Sequence, residues 1–530
     1  MKGGMMQVPL TVSSLLERAA TLFPRKEVVT ATDAGLVRST WRQVRDRAWA
    51  LASALRSLGV GEGDRVASLA WNSQRHLELY FGVPAGGAVL LTANVRLSPE
   101  QIATILAHAG AGVVFADPEW VPLVEEVARG LPGLRHKVAL AEAAPEGWTA
   151  YEALVASGDP AAPLRVLDED AAAGLCYTSG TTGEPKGVLY SHRAIALHTL
   201  AICLPDGFGL GEADVVLPAV PMFHANAWGL AHAAAMTGAT LVLPGARPTV
   251  QRLAALLEGE RVTFSAGVPT VWMGVLDELR ARPRALSPRL RIHSGGAPTA
   301  PALLEAYRKE LGVEILTGWG MTELTPVGMV AHPRGGMEGW APDDLLPVRT
   351  SQGTPLPFLE VRLMDEQGHP VPADGKTPGE LEVRGPWVTA GYFLSSGAEA
   401  FRDGWLRTGD VATQDPLGYV RLVDRTKDLI RSGGEWISSV QLEHALMDHA
   451  AVAEAVVVAV PDARWGERPM ACLVLRPGAA ATADEILGSL EGRFPKWWLP
   501  DGVVFLDEVP RTSTGKYDKK RLRLRLRDEE

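Results

Sequence analysis

The segment YTSGTTGEPKG, residues 177–187, consists mainly of glycines and hydroxyl side chains and contains a single lysine, Lys186. Glycine-rich backbone with free N–H groups forms concave anion sites, and hydroxyls and a lysine add donors and positive charge. A strand-like stretch precedes the segment and a helical stretch follows it. This order predicts a phosphate cradle, although a flexible surface loop has a similar composition. It is not a Walker A loop, because Gly187 rather than Ser or Thr follows the lysine.

Length and charge limit the classes of protein to which the chain can belong. At 530 residues it is too long for one hydrophobic core and should form two or more domains. Hydrophobic residues make up 46% of the chain and charged residues 22%, as in ordinary globular proteins. The net charge of −10 argues against a nucleic-acid-binding protein, which needs a broad basic face.

Cysteine spacing and hydropathy predict a cytoplasmic protein. Cys176, Cys203 and Cys472 lie at wide, unrelated spacings, so we expect reduced thiols in the core rather than disulfides or a metal site. The N-terminal residues lack the continuous apolar run of a signal peptide. The longest apolar stretch, Ala225–Leu243, is interrupted by polar residues and is not expected to span a membrane.

The pattern of helices and strands changes twice along the chain. Up to about residue 350 the two patterns alternate, which predicts parallel strands with crossover helices in a layered α/β body. Alternating strands separated by Gly and Pro then predict a β-rich subdomain. The last hundred residues carry strand and helix patterns of their own. We therefore predict a large N-terminal multi-subdomain body over residues 1–424 and a small, mobile C-terminal α+β domain over residues 425–530, with a hinge at about 424–427.

Further motifs follow the glycine-rich segment in order. They are TGWGMTE (317–323), GWLRTGD (404–410), DRTKDLIRSGGEWIS (424–438) and PRTSTGKYDKK (510–520). Together the five segments resemble the motifs of the adenylate-forming superfamily across almost the whole chain. That superfamily includes acyl- and aryl-CoA ligases, nonribosomal peptide adenylation domains and firefly luciferase. The resemblance implies an acid–CoA ligase that uses ATP, Mg²⁺ and CoA.

The implied reaction explains the charged residues in these motifs. A carboxylate and ATP form acyl-AMP and pyrophosphate, and a thiol then displaces AMP. Because the first step brings two anions together, positive charge has to be supplied where they meet. The resemblance implies that Glu323 and Thr178 hold Mg²⁺, and that Lys186 acts on the β- and γ-phosphates. It also implies that Lys516 stabilises the transition state, although one lysine among basic neighbours is by itself usually just solvated.

The resemblance implies nucleotide contacts from several motifs. Asp410 is expected to accept hydrogen bonds from the ribose hydroxyls, joined by Arg425, and Trp319 to offer a flat face to adenine. The full set of expected ATP and AMP contacts is Thr178, Ser179, Gly180, Thr181, Thr182, Gly183, Lys186, Gly295, Thr317, Gly318, Trp319, Thr322, Asp410, Arg425, Lys427, Arg431, Trp436 and Lys516.

The segment that resembles the hinge implies a rotation of the small domain between the two half-reactions. Lys427 matches the pivot. The thiol-transfer step is expected to bring the segment 432–436 to the site, where Gly433, Gly434 and Glu435 would border a narrow passage for the pantetheine arm.

The segment VPMFHANAWGLAH (220–232) matches the region that builds the acyl pocket in the family. Within it, His224 and Trp228 are expected to lie beside the acid, although each could also be an ordinary core residue. Gly320 stands where acetyl-CoA synthetases carry a bulky aromatic residue, so we expect an open slot and an acid longer than acetate. Because the segment lacks an acidic partner for an amino group, an apolar acid is favoured. We predict a medium- or long-chain fatty acid, with 3-methylthiopropionate as the alternative.

Other outcomes stay open at this stage. The acceptor could be a carrier protein instead of CoA, although no insertion typical of fatty acyl-AMP ligases is evident. A degenerate nucleotide-binding scaffold would be expected to have lost one of its charged motif residues. A nucleic-acid ligase would need a lysine nucleophile motif and a basic face, and neither is evident. The basic stretch 519–527 predicts a solvated terminal helix or strand, or an anchor for phosphates. The resemblance favours a homodimer with at most peripheral membrane contact.

Overall fold

The computed structural model describes residues 3–178, 186–395, 397–433, 435–512 and 517–528, except for the side chains of Glu435, Arg527 and Asp528. The strands are β1 (Glu27–Thr32), β2 (Gly35–Thr40), β3 (Arg65–Leu69), β4 (Val89–Thr92), β5 (Ala111–Ala116), β6 (His136–Ala139), β7 (Thr149–Ala150), β8 (Ala172–Tyr177), β9 (Gly187–Ser191), β10 (Val215–Pro218), β11 (Thr240–Leu243), β12 (Phe264–Gly267), β13 (Arg291–Ser294), β14 (Glu314–Gly320), β15 (Val327–Val330), β16 (Thr354–Pro355), β17 (Glu360–Met364), β18 (Gly379–Arg384), β19 (Phe401–Arg402), β20 (Trp405–Gln414), β21 (Val420–Arg425), β22 (Ile430–Ser432), β23 (Glu435–Ile437), β24 (Val452–Asp462), β25 (Gly466–Leu475) and β26 (Gly502–Phe505).

The α-helices occupy both the body and the C-terminal part. They are α1 (Val12–Leu22), α2 (Trp41–Ser57), α3 (Gln74–Ala85), α4 (Pro99–Ala109), α5 (Val121–Ala128), α6 (Tyr151–Ala156), α7 (His192–Cys203), α8 (Leu230–Thr237), α9 (Val250–Gly259), α10 (Pro269–Ala281), α11 (Pro301–Ala306), α12 (Pro342–Arg349), α13 (Ser439–Met447), α14 (Ala483–Gly488) and α15 (Lys519–Asp528).

Local sequence explains where several helices begin and end. The hydroxyl of Thr40 accepts a hydrogen bond from the backbone N–H of Gln43, whose side chain accepts one from the Thr40 N–H, so α2 begins with a capping box. Ser98 and Gln101 form the same arrangement at α4, which ends at Gly110 in the left-handed conformation. These caps satisfy backbone groups that a helix terminus otherwise leaves unpaired.

Within the described residues the strands form four sheets. A seven-stranded sheet has the order β7-β6-β5-β3-β4-β8-β9, and a nine-stranded sheet has the order β16-β15-β14-β13-β12-β10-β11-β1-β2. The middle strands of both sheets are parallel; antiparallel strands lie at both edges of the nine-stranded sheet and, in the seven-stranded sheet, at the β9 edge alone. The predicted α/β body is therefore confirmed, with parallel strands buried beneath crossover helices.

The later part of the chain forms two smaller sheets. Strands β17 to β21 make an antiparallel sheet, which is the predicted β-rich subdomain. Strands β22 to β26 form a separate sheet, and helix α13 packs on it through a cluster that includes Ile430, Leu442 and Val457. The residues between Arg425 and Ile430 connect the third sheet to the fourth.

The glycine-rich segment corrects one expectation. Strand β8 ends at Tyr177 and the antiparallel strand β9 begins at Gly187, so the segment joins two paired strands. Helix α7 begins only at His192, after β9. The predicted order of strand, loop and helix is therefore wrong, because a short strand separates the loop from the helix. The basic C-terminal stretch is helical, as one of its alternatives predicted.

No helix among the residues described is long and apolar enough to cross a lipid bilayer.

A buried ion pair lies at the start of the C-terminal helix α15. The ammonium group of Lys519 lies 2.7 Å from Glu443 Oε1, and the side chains of Lys519 and Glu443 are only 14% and 10% exposed. The same ammonium group donates a hydrogen bond to Ser439 Oγ. The backbone N–H of Ser439 donates in turn to Asp424 Oδ2 over 2.8 Å. A chain of polar contacts thus runs from the start of α15 to the end of β21.

Buried histidines make the fold sensitive to acid. Burial lowers the pKa of several imidazoles to about 3 or about 4, in His76, His192, His198, His232 and His293. The unfolded chain binds protons below a pH of about 6.5, whereas the folded chain keeps these rings neutral until the pH is much lower. The free energy of unfolding should therefore fall as the pH falls from 6.5 towards 4.

The replacement of His76 by glutamine tests this expectation. His76 is fully buried; its Nδ1–H donates to the carbonyl of Trp71 over 2.9 Å, and its Nε2 lies 3.0 Å from Ser68 Oγ. A histidine that is protonated only when unfolded contributes about 1.4 kcal/mol per pH unit. Thermal unfolding between pH 7.5 and 4.5 should show a weaker pH dependence for His76→Gln than for wild type. His369→Gln, at a side chain 76% exposed, is the control, and an equal slope in all three proteins would contradict the expectation.

Candidate active site

The ends of the glycine-rich segment are held close together. Tyr177 pairs with Gly187 across β8 and β9, and the Thr178 N–H donates to the Lys186 carbonyl over 3.0 Å. The Tyr177 hydroxyl lies 2.7 Å from Nδ1 of His108 in the last turn of α4. The predicted contacts between these ends, Ser179, Gly180, Thr181, Thr182 and Gly183, lie outside the described residues.

Glu323 lies in a short 3₁₀ turn, Thr322–Leu324, directly after β14. Glu323 is 7% exposed, and its Oε1 accepts a hydrogen bond from the Tyr392 hydroxyl over 2.9 Å. Burial raises the pKa of Glu323, while the Tyr392 hydroxyl and the charges of Arg425 and Lys186 oppose that rise. The Lys186 ammonium is 5.0 Å from the centre of the Tyr392 ring and 3.4 Å from Glu399 Oε1. The expected magnesium carboxylate and phosphate lysine are thus linked through one tyrosine.

The predicted ribose and adenine residues also lie together. The indole N–H of Trp319 donates to Asp410 Oδ2 over 2.7 Å, and Nε of Arg425 lies 3.2 Å from Asp410 Oδ1. Strand pairing explains the second contact, because Asp410 in β20 is directly opposite Arg425 in β21. Asp410 is 4% exposed and Trp319 6% exposed. The indole therefore orients the buried carboxylate through its ring nitrogen, and its predicted stacking on adenine stays a prediction.

Other predicted nucleotide contacts occupy the ends of β13 and β14. The Thr317 hydroxyl is only 2.6 Å from the carbonyl oxygens of both Arg349 and Ser351, so its hydrogen is already used within the protein. A β-carbon at Gly318 would lie 2.5 Å from the His293 ring, which explains glycine at this position. The carbonyl oxygen of Thr322 accepts a hydrogen bond from the hydroxyl of Tyr190 over 2.6 Å. Gly295 follows β13 directly, in the turn after Ser294.

The predicted acyl-pocket segment has an unusual backbone. Residues 225–228 all have positive φ angles, between 41° and 57°, and Gly229 follows at 81°. Four successive non-glycine residues in the left-handed region are strained by roughly 1–2 kcal/mol each. The turn places the Trp228 ring edge-on to His293, with 5.7 Å between ring centres, and a β-carbon at Gly295 would be 3.5 Å from the indole. His224 precedes this turn, whereas helix α8 begins only at Leu230.

Gly320 corrects a second expectation. A β-carbon there would lie 2.1 Å from the Pro326 carbonyl oxygen and 3.0 Å from Val327 Cα. The space beside this glycine is therefore filled by backbone, not open as predicted. Glycine is required because β14 and β15 approach each other closely, and the Met321 N–H donates to the same Pro326 carbonyl over 3.0 Å. Gly320 therefore does not support a substrate longer than acetate, and the support for such a substrate lies in the residues around Trp228.

The hinge segment brings two other predicted residues into contact. The Arg431 guanidinium lies 4.4 Å from the centre of the Trp436 ring, across the antiparallel pair β22 and β23. Gly433 between these strands has φ +61° and donates its N–H to the Trp465 carbonyl over 2.8 Å. Lys427 is exposed in the connector between sheets. Gly434 and Lys516 lie outside the described residues, as does the side chain of Glu435.

Several residues beside the site escaped the sequence analysis. Tyr392 and Glu399 contact predicted site residues, and His108 contacts Tyr177 at the start of the glycine-rich segment, yet none of the three belongs to a motif that carries chemistry by itself. Tyr392 is 69 residues from Glu323 along the chain. Only knowledge of the packing of the third sheet against the body would have pointed to it.

The residues present fit a magnesium ion that arrives with a nucleotide. Among the described residues no group of three or more His, Cys, Asp or Glu side chains could hold a metal ion. Mg²⁺ nonetheless often takes only one or two carboxylates and obtains its remaining ligands from phosphate oxygens and water. The buried Glu323 carboxylate, with one oxygen hydrogen-bonded to Tyr392, is a donor of this kind.

A nucleotide site of this design, built on an α/β body with a small C-terminal domain, defines an adenylate-forming enzyme. The chain belongs to the family of AMP-binding enzymes: residues 16–393 match the AMP-binding enzyme family and residues 441–516 match the AMP-binding enzyme C-terminal domain. It is an ATP-dependent, AMP-forming acid–CoA ligase of that family. Enzymes of this class use ATP, Mg²⁺ and CoA.

Known proteins with similar sequences cover the full chain. The chain is 50% identical over 526 residues to a long-chain-fatty-acid–CoA ligase of Thermus thermophilus. The matched region covers 98% of this chain and 96% of the relative. It is 41% identical to a 3-methylmercaptopropionyl-CoA ligase of Ruegeria pomeroyi, over 100% of this chain and 99% of the relative. The crystal structure of the anthranilate CoA ligase AuaEII in complex with anthranoyl-AMP is similar with a TM-score of 0.89 at 27% identity, over 100% and 99% of the two chains.

Proposed function

We propose that this enzyme joins medium- or long-chain fatty acids to CoA. The observation that carries the proposal is the apolar character of the segment Val220–His232, which contains no Asp, Glu, Lys or Arg. Small residues, among them Ala225, Ala227 and Gly229, flank Trp228 along the chain in a buried turn. A hydrocarbon chain gains roughly 0.8 kcal/mol for each methylene that it buries. The Thermus relative, a long-chain-fatty-acid–CoA ligase, supports the same substrate class.

In the first half-reaction, a carboxylate oxygen of the acid attacks the α-phosphorus of ATP. The bond between that phosphorus and the bridging oxygen to the β-phosphate breaks, and pyrophosphate leaves. Glu323 and Thr178 would hold Mg²⁺, which supplies positive charge for the phosphate oxygens. Lys186 offsets the charge of the leaving pyrophosphate. Lys516 stabilises the charge that develops around the α-phosphate and the reacting carboxylate.

Nucleotide binding rests on the remaining cluster. Asp410 accepts hydrogen bonds from the ribose hydroxyls, and its contacts with Trp319 and Arg425 hold the carboxylate in one orientation. The turn at Gly295 and the backbone of Gly318, near the end of β14, would lie next to the base. A fixed nucleotide places the α-phosphorus within reach of the acid, which removes much of the entropic barrier to the reaction.

In the second half-reaction, the CoA sulfur attacks the carbonyl carbon of acyl-AMP. The carbon–oxygen bond to AMP breaks, AMP leaves with the bonding electrons, and the thiol proton is released. The passage for the pantetheine arm would run beside Gly433, Gly434 and Glu435. Arg431 and Trp436, stacked on each other, would face the adenylate in one of the two states.

The two half-reactions require a rotation of residues 425–530 against residues 1–424. We place the pivot at Lys427, in the connector between the third and fourth sheets. The support for this boundary is that β21 belongs to one sheet and β22 to the other. Lys427 is exposed in this short connector, whereas Asp428 and Leu429, which follow it, are buried. Hinges of this kind are a few residues at the ends of elements that absorb a change in backbone angles.

A pyrophosphate-release screen over acids from C2 to C18, with and without CoA, tests the substrate. We expect the highest kcat/KM between C8 and C18, with acyl-CoA as the product when CoA is present. Release of pyrophosphate without any thioester would instead favour a carrier protein as acceptor. A preference for acetate would refute the proposal, because a short pocket gains nothing from the extra methylenes of a longer acid.

3-Methylthiopropionate is the second candidate acid. The observation that favours it is the 41% identity to the Ruegeria enzyme over the whole chain. The acid is small and largely apolar, so the same buried turn would accept it. Including it in the screen separates the two proposals by kcat/KM. We also propose that the enzyme acts as a homodimer in the cytoplasm.

A further inference from the structure

A segment that follows β18 connects the two parts of the phosphate site. The backbone N–H of Thr389 donates to the carbonyl oxygen of Glu323 over 2.8 Å. Four residues later, the N–H of Phe393 donates to the carbonyl oxygen of Gly187, also over 2.8 Å. The segment is therefore attached at one end to the turn that carries Glu323 and at the other to the strand that follows Lys186. Tyr392 lies between these two attachments.

The side chain of Tyr392 contacts both charged groups of the phosphate site. Its hydroxyl donates to Glu323 Oε1 over 2.9 Å, and its ring lies beneath the Lys186 ammonium, 5.0 Å from the ring centre. Among the described residues, this hydroxyl provides the only side-chain hydrogen bond to Glu323. A carboxylate that shares one oxygen with a fixed donor has a defined rotation and keeps its other oxygen available.

The position of the ring is itself fixed by packing. A β-carbon at Gly397 would lie 2.4 Å from Cδ2 of Tyr392, so the ring packs directly against the backbone there. The Phe401 ring lies 6.4 Å away between centres. This packing restricts the rotation of the ring away from Glu323, and the hydroxyl therefore stays within hydrogen-bond distance of the carboxylate.

Tyr392 holds Lys186 without neutralising it. Cation–π attraction is worth about 0.5–1 kcal/mol at exposed sites and leaves the full positive charge available to an anion. The contact with Glu399 is different, because a carboxylate competes directly with phosphate. That ion pair is 3.4 Å long and Glu399 is 72% exposed, so a triphosphate with its higher charge displaces it at little cost.

We propose that Tyr392 is a positioning residue that orients Glu323 towards a divalent cation and Lys186 towards the phosphates of ATP. The inference rests on the proposed roles of Glu323 and Lys186 in the adenylation step. It predicts that Tyr392 acts in the first half-reaction alone, because transfer of the acyl group from acyl-AMP to CoA involves neither pyrophosphate nor its cation.

Two variants separate the two contacts. Tyr392→Phe keeps the ring beneath Lys186 and removes the hydrogen bond to Glu323, whereas Tyr392→Leu removes both. Tyr307→Phe is the matched control: this buried hydroxyl donates to the Trp272 carbonyl over 2.7 Å, away from the phosphate site. Thermal unfolding of all three variants identifies any that lose stability in general.

Binding of Mn²⁺ in the presence of α,β-methylene-ATP, followed by electron paramagnetic resonance, is the main measurement. Loss of a hydrogen bond to a metal-binding carboxylate typically weakens metal binding about 10–100-fold. We expect a weakening in that range for Tyr392→Phe, and no change for Tyr307→Phe. Tyr392→Leu should in addition bind the analogue more weakly without metal, because Lys186 loses its support. Thioester formation from supplied acyl-AMP should stay at the wild-type rate in both Tyr392 variants.

The outcomes distinguish this inference from the proposed function. If the wild type neither binds Mn²⁺ with the analogue nor releases pyrophosphate with any acid, the proposed function fails. If the wild type does both and Tyr392→Phe binds Mn²⁺ equally well, the positioning role of Tyr392 is refuted. Equal losses in both half-reactions, together with a lower unfolding temperature, would also refute it, because they indicate a structural role alone.

Discussion

Replacement of Lys516 by alanine should lower the rate of acyl-AMP formation by about 10²–10³-fold. The magnitude is that typical for the loss of one group that stabilises developing charge in a transition state. Thioester formation from supplied acyl-AMP should stay close to the wild-type rate, because the proposed thiol-transfer state presents the segment near Gly433 to the site. Pyrophosphate release and a coupled thioester assay measure the two steps separately.

The residues on either side of the 513–516 segment explain why this substitution should act locally. Arg511 and Tyr517 form an antiparallel bridge, and the N–H of Asp518 donates to the Pro510 carbonyl over 2.8 Å. Helix α15 begins immediately afterwards at Lys519, which is held in its buried ion pair. The exposed Lys520 is the matched control, since Lys520→Ala removes the same charge nearby. Equal loss of both half-reactions in Lys516→Ala would refute the proposed division of labour.

Replacement of Lys519 by methionine should destabilise the protein by about 3–5 kcal/mol. Burial lowers the pKa of Lys519, but the charges of Glu443 and Asp424 raise it overall, so the ammonium is charged in the folded state. Removing it leaves the Glu443 carboxylate buried, and among the described residues its remaining hydrogen-bond donor is the Val457 N–H, at 2.9 Å. An unpaired buried charge carries a cost of this size.

Calorimetric unfolding of three variants tests this expectation. Lys519→Met should lower the unfolding temperature of the transition that involves residues 430–528. The double variant Lys519→Met with Glu443→Leu should recover most of the loss, because it removes both charges and leaves no buried carboxylate unpaired. Lys520→Met, at an exposed neighbour, should unfold like the wild type. A double variant no more stable than Lys519→Met would contradict the electrostatic explanation.

The sequence predicted the fold class from local patterns, and the resemblance of its ordered motifs implied a nucleotide cluster whose roles stay predictions. Alternating apolar helices and strands define the α/β body, and ordered motifs point to Glu323, Asp410 and Lys186. The prediction that a helix directly follows the glycine-rich segment was wrong. Strand β9 is only five residues long, and no Gly or Pro separates it from α7. Short strands of this kind carry too little periodicity to be separated from a helix.

Two other features depend on contacts that the sequence does not contain. Glycine at position 320 suggested an open slot, but glycine is required there because the carbonyl oxygen of Pro326, the residue before β15, lies close to it. Tyr392 carries no motif, and its link to Glu323 arises only when the third sheet packs against the body. Both belong to tertiary packing, which local residue patterns do not encode.

The left-handed turn at residues 225–228 has a consequence for protein engineering. Its backbone angles tolerate glycine and asparagine far better than β-branched side chains. A mutant library directed at the proposed acyl pocket should therefore lose most variants with Val, Ile or Thr at positions 225 and 227, whatever the room available to those side chains. Mutational tolerance in this turn is set by the main chain before any selection for the length of the acid.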